Sequence, residues 1–184
     1  LRTLPIGTWI NNAGFGTYGA IGTQDIPRMQ QMLHLNIEAL TILSTLFVRD
    51  FADTEGAQLI NISSVGGYLI VPNVVTYCAT KFYVSAFTEG LAQELAARRA
   101  KLRAKLLAPA ATQTEFGAVA NDNPAYDYDK AFGTYHTSAQ MAEFLLALYD
   151  SDQTLGIVDR ETLTFRLCAP QLPYAGNSAR NQKV

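Results

Sequence analysis

Residues 57–63 read Ala-Gln-Leu-Ile-Asn-Ile-Ser, a mostly apolar run that ends just before the turn residues Gly66 and Gly67. This pattern is typical of a buried β-strand bounded by a turn. Before the run, apolar residues recur at steps of three and four, which predicts a helix over about 26–52. After the run, the sequence predicts a second long helix over about 74–99. Strands that alternate with helices require crossover connections, which are typical of a parallel sheet.

The alternation continues on both sides of this unit. An apolar run at 8–10 predicts a strand that ends in a glycine-containing loop, and residues 102–108 predict another strand, closed by a proline. Residues 119–135 mix Asn, Asp, Tyr, Gly and Pro without a period, and we expect an irregular or partly helical substrate lid there. A capping-box spacing begins a short helix over about 137–150, and 163–168 predicts a final strand.

Length and composition describe one globular domain, residues 1–184. The chain has a mass of 20.1 kDa, and 48% of its residues are hydrophobic and 16% charged, so we expect a folded protein. Its formal net charge is −2, so no nucleic-acid partner is expected. Single apolar runs such as 41–48 are too short to cross a bilayer, and no secretory signal pattern is found. A cytoplasmic protein without a membrane partner is therefore expected. Two cysteines, Cys78 and Cys168, cannot form a disulfide framework.

Two further groups of residues receive a structural interpretation. Five of the fourteen basic residues crowd one helix end, which we interpret as a solvated edge; they are Arg98, Arg99, Lys101, Arg103 and Lys105. His34 and His136 stand without a Cys, Asp or Glu partner at ligand spacing, so no metal site is predicted.

Ligands of a parallel sheet bind at the carboxyl ends of its strands, here segments 12–16, 63–66 and 109–114. Tyr77 and Lys81 lie four residues apart near the start of the second long helix, and therefore on one face. A cation one turn away favours the phenolate and lowers a tyrosine pKa from its usual value of about 10. The pair can then exchange a proton with an alcohol or a carbonyl oxygen. Taken alone, the same spacing also occurs by chance on surface helices.

Two polar residues have a functional and a structural interpretation. Ser64 follows the strand at 57–63, and its hydroxyl either hydrogen-bonds the oxygen that Tyr77 protonates or merely caps a turn. Asn36 lies among apolar residues of the first long helix. Its amide is either satisfied locally or holds a water against Lys81.

The chain resembles the classical short-chain dehydrogenase/reductase family in features that follow one another in the family's order: Asn11-Asn12-Ala13-Gly14, Asn36, Ser64 and Tyr77-x-x-x-Lys81. The resemblance runs from about residue 7 to at least 116, and more loosely to 167. It implies a Rossmann-like doubly wound parallel sheet and NAD or NADP as the cofactor. It also implies an oxidoreductase that interconverts a carbonyl and an alcohol on a small organic substrate.

Carried over by position, the resemblance implies roles for four residues. Tyr77 would be the general acid/base, and Lys81 would lower its pKa and bind the nicotinamide ribose. Ser64 would orient the substrate oxygen, and Asn36 would hold the water that links Lys81 to solvent. No metal would be needed. Besides Tyr77 and Lys81, the implied cofactor contacts are Asn12, Ala13, Gly14, Pro109, Ala110, Thr112 and Thr114. At Ala110 the chain departs from the family, which usually has glycine there.

The family's glycine-rich phosphate-binding turn would precede the Asn-Asn-Ala-Gly strand, and it is not in this sequence. The ten residues before Asn11 contain one glycine, Gly7, and Gly14-Phe15-Gly16 follows the wrong strand. Three explanations of the missing turn are open: the protein is genuinely short, the sequence contains only ordered residues, or it is a fragment. We expect a longer parent chain whose N-terminal cofactor-binding half is not represented, because the strand at 8–10 would otherwise be an apolar sheet edge.

Two alternatives to an active carbonyl reductase stay open. One is a catalytically inactive Rossmann-type protein that serves as a cofactor sensor or scaffold. The other is a ketoacyl reductase of lipid synthesis, which is weakened because Ile157-Val158-Asp159-Arg160 lacks the glycine pair usual in such enzymes. The resemblance also implies a homodimer or homotetramer assembled through the helices predicted at 26–52 and 74–99.

Overall fold

A computed structural model describes residues 4–175. The strands are β1 Thr8–Asn11, β2 Gln58–Ile62, β3 Arg103–Ala108, β4 Thr112–Gln113, β5 His136–Thr137, β6 Leu155–Val158 and β7 Phe165–Cys168. The α-helices are α1 Ile26–Leu33, α2 Leu40–Phe51, α3 Val75–Ala97, α4 Phe116–Asn121, α5 Tyr128–Ala131 and α6 Ser138–Asp150. A π-helical turn, His34–Ala39, joins α1 to α2, so that residues 26–51 form one continuous helix, close to the prediction.

Five strands form the main sheet in the order β1-β2-β3-β6-β7. The first four are parallel, and Ile60 of β2 is paired with Ile10 on one side and Lys105 on the other. β7 is antiparallel to β6, and β4 pairs with β5 in a separate two-stranded sheet. The predicted Rossmann-like α/β class is confirmed, with a mostly parallel sheet. Among the described residues β1 is an edge strand, where Ile10 is exposed.

The last two strands of the sheet differ from the prediction. β6 was not predicted, because four apolar residues are too few to separate a buried strand from other apolar segments. β7 begins at Phe165 rather than at 163, since Leu163 has a φ of 55°, which no strand residue adopts. The Asp159 carboxylate accepts a hydrogen bond from the main-chain N–H of Thr162 at 2.8 Å. This turn reverses the chain, so β7 returns antiparallel.

Helices cover both faces of the sheet, and the alternation of side chains along β2 decides which residue meets which helix. Leu59 packs in one cluster with Phe47 of α2 and Leu95 of α3. Ile60, the next residue, packs with Leu148 of α6. Neighbouring residues of a strand point to opposite faces, so α2 and α3 lie on one face and α6 on the other. Burial on both faces explains why residues 57–63 are nearly continuously apolar.

The continuous helix 26–51 is long and apolar enough, by length and composition, to cross a membrane, which the single apolar runs did not predict. One such helix is weak support for a membrane span, because the core helix of a soluble protein passes the same test. Met32, Leu40 and Phe47 of this helix are buried here. The absence of a membrane partner stays a prediction.

Lys105 of β3 contradicts the interpretation of the basic cluster as a solvated edge. It is 1% exposed, and its Nζ donates hydrogen bonds to the main-chain oxygens of Leu148, Tyr149 and Ser151 at 2.9, 2.8 and 2.6 Å. These oxygens lie at the C-terminal end of α6, where helix carbonyls lack intrahelical partners and a cation is favourable. Lys105 therefore fixes α6 to the sheet.

Replacement of Lys105 with methionine is expected to lower the free energy of unfolding by about 2–3 kcal/mol, because buried carbonyls at the end of α6 lose their donor. Methionine keeps a long unbranched side chain, so the effect reports on the hydrogen bonds more than on volume. Urea denaturation measures it. Lys101→Met is the control, since Lys101 is exposed and pairs with the exposed Glu55. Equal stabilities of the two variants would contradict this assignment.

Candidate active site

The loops that follow the first three strands lie at one edge of the sheet, as predicted for parallel strands. They are residues 12–16 after β1, 63–66 after β2 and 109–114 after β3. The main-chain N–H of Val65 donates to the main-chain oxygen of Pro109 at 2.8 Å and joins two of the loops directly. The residues predicted to carry chemistry are thus gathered in one place.

The Ser64 side chain lies near the Tyr77 phenol and favours its phenolate form. The Ser64 Oγ also accepts a hydrogen bond from the main-chain N–H of Gly66 at 3.1 Å. Ser64 therefore caps the short 3-10 turn Val65–Gly67, which is one of its two interpretations. Its hydrogen bond to a substrate oxygen stays a prediction. Tyr77 lies in the first turn of α3 and is half-buried.

Lys81 lies one helical turn after Tyr77 and is 6% exposed. Its Nζ donates to the main-chain oxygen of Ile62 at 2.9 Å and lies 5.8 Å from the centre of the Tyr77 ring. Burial lowers the pKa of Lys81 to about 8.

Lys81 is not among the groups that shift the pKa of Tyr77 in the chain by itself, and the implied lowering of that pKa by Lys81 stays a prediction. Burial raises the pKa of Tyr77 above its ordinary value, and the Ser64 side chain opposes that rise. Desolvation disfavours the phenolate form of Tyr77. Burial also favours the neutral form of Lys81, so the lysine stabilises the phenolate less than a fully charged lysine would. Ser64 rather than Lys81 is the residue that favours the phenolate here.

Asn36 lies in the π-helical turn and is 1% exposed. Its Nδ2 donates to the Phe15 main-chain oxygen at 2.9 Å and to the Thr80 Oγ1 at 3.1 Å, and its Oδ1 accepts from the Phe15 main-chain N–H at 3.2 Å. The amide is satisfied locally, which is one of the two alternatives, and one lone pair of Oδ1 stays available. Periodicity did not predict the π-helical turn, because one wider turn hardly changes the apolar pattern.

The loop after β1 is open beside two of the site residues, which is compatible with the implied cofactor lying along it. Asn12 and Ala13 are exposed, and Gly14 packs against two of the site residues. A Cβ atom added at Gly14 would lie 3.0 Å from the Asn36 Oδ1 and 3.6 Å from the Lys81 Nζ. The glycine therefore leaves room beside the lysine. Among residues 4–175 no strand precedes β1, so the described part of the chain contains no phosphate-binding turn in the family's position.

The implied contacts after β3 hold their own loop. The Thr112 Oγ1 donates to the Ala110 main-chain oxygen at 3.0 Å, and the Thr114 Oγ1 accepts from the Phe116 N–H at 3.1 Å. Pro109 and Ala110 are half-buried beside the loop of Ser64. All four residues lie at the predicted edge, and their contact with a cofactor stays a prediction.

Phe116 is a site residue that the sequence interpretation missed. Its ring lies 5.4 Å from the Tyr77 ring, centre to centre. A Cβ atom added at Gly16 would lie 3.0 Å from the Phe116 Cζ and 3.2 Å from the Tyr77 Cδ2, so Gly16 admits both rings. An apolar wall thus stands beside the phenol. No local pattern reveals it, because Phe116 meets Tyr77 only through the fold.

The lid predicted at 119–135 is partly helical, since it includes α5 and the end of α4. Tyr128 is buried at its centre, with ring centres of Tyr126, Phe132 and Tyr135 at 5.1, 5.9 and 5.4 Å. The Tyr128 hydroxyl accepts a hydrogen bond from the Gly117 N–H at 3.0 Å. These aromatic residues pack the segment together. Their closure over a substrate stays a prediction.

The prediction of no metal site concerns isolated histidines, and one of them has a partner. His34 Nδ1 lies 2.5 Å from the Glu38 Oε2, one helical turn later, which the sequence interpretation missed. Among residues 4–175 no group of three or more His, Cys, Asp or Glu side chains is placed to hold a metal ion.

Replacement of Gly67 with alanine is expected to destabilise the fold by about 1–3 kcal/mol through overpacking. A Cβ atom there would lie 2.5 Å from the Oγ atoms of Ser63 and Ser85 and 2.6 Å from the Lys81 main-chain oxygen. Thermal and urea denaturation measure the effect. Gly90→Ala on α3 is the matched control: a Cβ at Gly90 meets nothing within 4 Å, so alanine there gains up to about 1 kcal/mol from helix propensity. A stable Gly67→Ala variant would contradict the close approach.

Two sequence comparisons agree with this geometry. The family described as short chain dehydrogenase matches residues 2–125. A human protein named dehydrogenase/reductase SDR family member 11 is 32% identical over 130 residues, which cover 68% of this chain and 49% of the human protein. The 3-oxoacyl acyl-carrier-protein reductase of Chlamydia pneumoniae is 29% identical over 158 residues, covering 82% of this chain and 62% of that protein.

A solved structure is similar in fold. The short-chain dehydrogenase of Sphingobium yanoikuyae, in complex with NADPH, has a TM-score of 0.73 and 27% sequence identity. The alignment covers 83% of this chain and 57% of that one. The chain spans about half the length of the curated relatives it matches.

Proposed function

The chain belongs to the short-chain dehydrogenase family, and from this membership we propose that the protein interconverts a carbonyl and an alcohol with NAD or NADP. The observation that carries the proposal is the Tyr77 phenol near the Ser64 hydroxyl and beside the buried Lys81, whose Nζ lies 5.8 Å from the ring centre. A phenol and a hydroxyl that converge at the carboxyl edge of the sheet can both bind one substrate oxygen. The relatives named above support the same reaction class.

In the proposed mechanism Tyr77 donates its proton to the carbonyl oxygen during reduction and takes it back during oxidation. Ser64 donates a hydrogen bond to the same oxygen and holds it at the phenol. A nicotinamide, when bound, would supply hydride to the carbonyl carbon in reduction or accept it from the alcohol carbon in oxidation. Burial keeps Tyr77 protonated at neutral pH, so the chain by itself is poised for the proton donation of the reductive direction.

We propose that Asn36 and Lys81 resupply the proton. Both donor positions of the Asn36 amide are used by Phe15 and Thr80, which leaves a lone pair on Oδ1 for a water. Lys81, with a pKa lowered to about 8, exchanges its proton readily near neutral pH. The roles of Asn12, Ala13, Gly14, Pro109, Ala110, Thr112 and Thr114 in holding the cofactor belong to the same proposal.

Fluorescence titration of the full chain with NADH and NADPH, followed by turnover assays, tests the proposal. We expect binding of at least one cofactor and reduction of a ketone probe such as acetophenone. Cofactor binding without turnover of any probe would favour the inactive sensor or scaffold. Absence of both would overturn the proposal.

The second candidate is a ketoacyl reductase. The similarity to the Chlamydia enzyme over 158 residues favours it. The missing glycine pair at 157–160, which is usual in such enzymes, counts against it. In this chain Val158 ends β6 and leads into the turn at Asp159. Acetoacetyl-CoA as a second probe distinguishes the two: a strong preference over acetophenone supports the ketoacyl reductase.

A homodimer or homotetramer through helix 26–51 and α3 is also proposed. Ile42 on α2 is half exposed, and Thr41 and Tyr83 join the two helices through hydroxyls 2.8 Å apart. The paired helices thus present one surface with an apolar residue on it. Light scattering measures the mass, and a monomer at micromolar concentration would contradict this part. The cytoplasmic location stays a prediction.

A further inference from the structure

A chain of buried hydrogen bonds runs along α3 away from the candidate active site. The Ser63 Oγ donates to the Lys81 main-chain oxygen at 3.0 Å and lies 2.8 Å from the Ser85 Oγ. The Ser85 side chain also lies near the Tyr68 hydroxyl, which donates a hydrogen bond to the Glu89 carboxylate. Ser63, Ser85 and Glu89 are 3%, 0% and 1% exposed, so the chain is closed to solvent at these points.

Glu89 is the last residue of this series of hydrogen bonds, and both of its carboxylate oxygens have partners. One oxygen accepts from the Tyr68 hydroxyl, and the other accepts from the main-chain N–H groups of Gln171 and Leu172 at 2.8 and 2.7 Å. Burial of a carboxylate costs several kcal/mol unless hydrogen bonds compensate for the lost water. An apolar residue would fill this place at a lower free-energy cost. The burial of Glu89 is therefore explained by the groups that its carboxylate holds in place.

The spacing of residues along α3 connects Glu89 with the reacting group. Tyr77, Lys81, Ser85 and Glu89 follow at steps of four and therefore lie along one side of the helix. Tyr68 follows Ser64 by four residues in the loop that crosses this side. The loop is thus held to α3 at two levels, by Ser63 near Lys81 and by Tyr68 near Glu89. Ser64, which lies near Tyr77, stands between these two attachments in the sequence.

We propose that Glu89 is a positioning residue for the proposed reaction: through Tyr68 it fixes the loop that carries Ser64, and so holds the Ser64 hydroxyl against the Tyr77 phenol. The inference rests on the proposed function for its kinetic part. Glu89 touches neither Tyr77 nor Ser64 and acts through Tyr68 and Ser85. Its second oxygen ties residues 171–172 to the same helix.

The test uses Tyr68→Phe and Glu89→Gln in the full chain, with NADPH or NADH and acetophenone as probes. Both changes keep the size of the side chain. We expect kcat to fall about tenfold in each variant while the KM of the cofactor stays within twofold, because misplacement of an orienting group affects the reacting geometry. The kcat of the double variant should fall no further than that of either single variant, since both changes remove the same hydrogen bond.

The pH dependence of alcohol oxidation separates positioning from an effect on stability alone. The Ser64 side chain lowers the pKa of Tyr77. Its displacement should therefore move the rising limb of the pH–rate profile of alcohol oxidation to higher pH in both variants. Glu94→Gln is the matched control, because Glu94 lies on the same helix, is exposed and pairs with Arg98. Unchanged kcat and an unmoved pH limb in both variants, at a temperature where they are folded, would overturn the inference.

A readout without activity keeps the inference separate from the proposed function. Hydrogen–deuterium exchange of residues 63–67 should accelerate in Tyr68→Phe and in Glu89→Gln, but not in Glu94→Gln. Failure of the wild-type chain to bind a cofactor or reduce a probe would count against the proposed function. In that case unchanged exchange at 63–67 overturns the inference, and faster exchange supports the attachment through Glu89.

Discussion

The Tyr77→Phe variant is expected to lose turnover by about 10²–10⁴-fold, the range that a positioned general acid contributes. Phenylalanine keeps the ring that packs against Phe116 and removes only the hydroxyl. The fold and most of the cofactor affinity should therefore be retained, because the implied cofactor contacts other than Tyr77 are unchanged. The Ser64 hydroxyl keeps its bond with the Gly66 N–H.

Single-turnover reduction of acetophenone, together with cofactor titration, measures this effect in the full chain. Tyr83→Phe is the matched control, because Tyr83 lies on the same helix and its hydroxyl contacts Thr41 rather than the site. We expect the control to keep turnover within about twofold. A Tyr77→Phe variant within tenfold of the wild-type rate would show that another group donates the proton.

The parts of the fold that the sequence predicted well are those with a strong period. The continuous helix 26–51 buries one side, so its apolar residues recur every three to four positions. α3 also lies close to its predicted bounds, although most of the residues that it buries are polar. The capping box at Thr137 and Gln140 has both of its hydrogen bonds, and α6 begins where the spacing predicted. β2 is mostly apolar because helices cover both of its faces.

The parts that the sequence did not predict depend on contacts with no local pattern. β6 is four residues long, and its partner β7 is antiparallel because of a turn at Asp159. Lys105 reads as one more surface cation, and only the end of α6 above it explains its burial. The sign of a charge in a sequence does not give its exposure.

The candidate site divides in the same way. Ser64, Tyr77 and Lys81 come together because strand ends in a parallel sheet share one edge, a rule that needs only the order of the elements. Phe116 and Glu89 depend on where the α4 segment and residues 171–172 come to lie. The pKa of Tyr77 depends on burial, which a helical spacing does not report.

Replacement of Lys81 with methionine is expected to change stability in a pH-dependent way while it lowers turnover by about 10²-fold or more. The wild-type pKa of Lys81 is about 8 in the folded chain, against an ordinary value of 10.5. Below pH 8 the lysine is charged in both the folded and the unfolded state, so the cost of burying the charge is fully present. Between pH 8 and 10.5 the folded lysine is neutral while the unfolded one still binds its proton.

In that window the unfolded state binds more protons, and stability rises with pH. The free energy of unfolding of the wild type should therefore gain about 3 kcal/mol relative to Lys81→Met between pH 7.5 and 10.5, at about 1.4 kcal/mol per pKa unit. Urea denaturation at the two pH values measures the difference, and the comparison cancels tyrosines that titrate in both proteins. Lys101→Met, at an exposed lysine, should have no such dependence. A constant difference for Lys81→Met would mean that Lys81 keeps an ordinary pKa, and the proton exchange assigned to it near neutral pH would then fail with it.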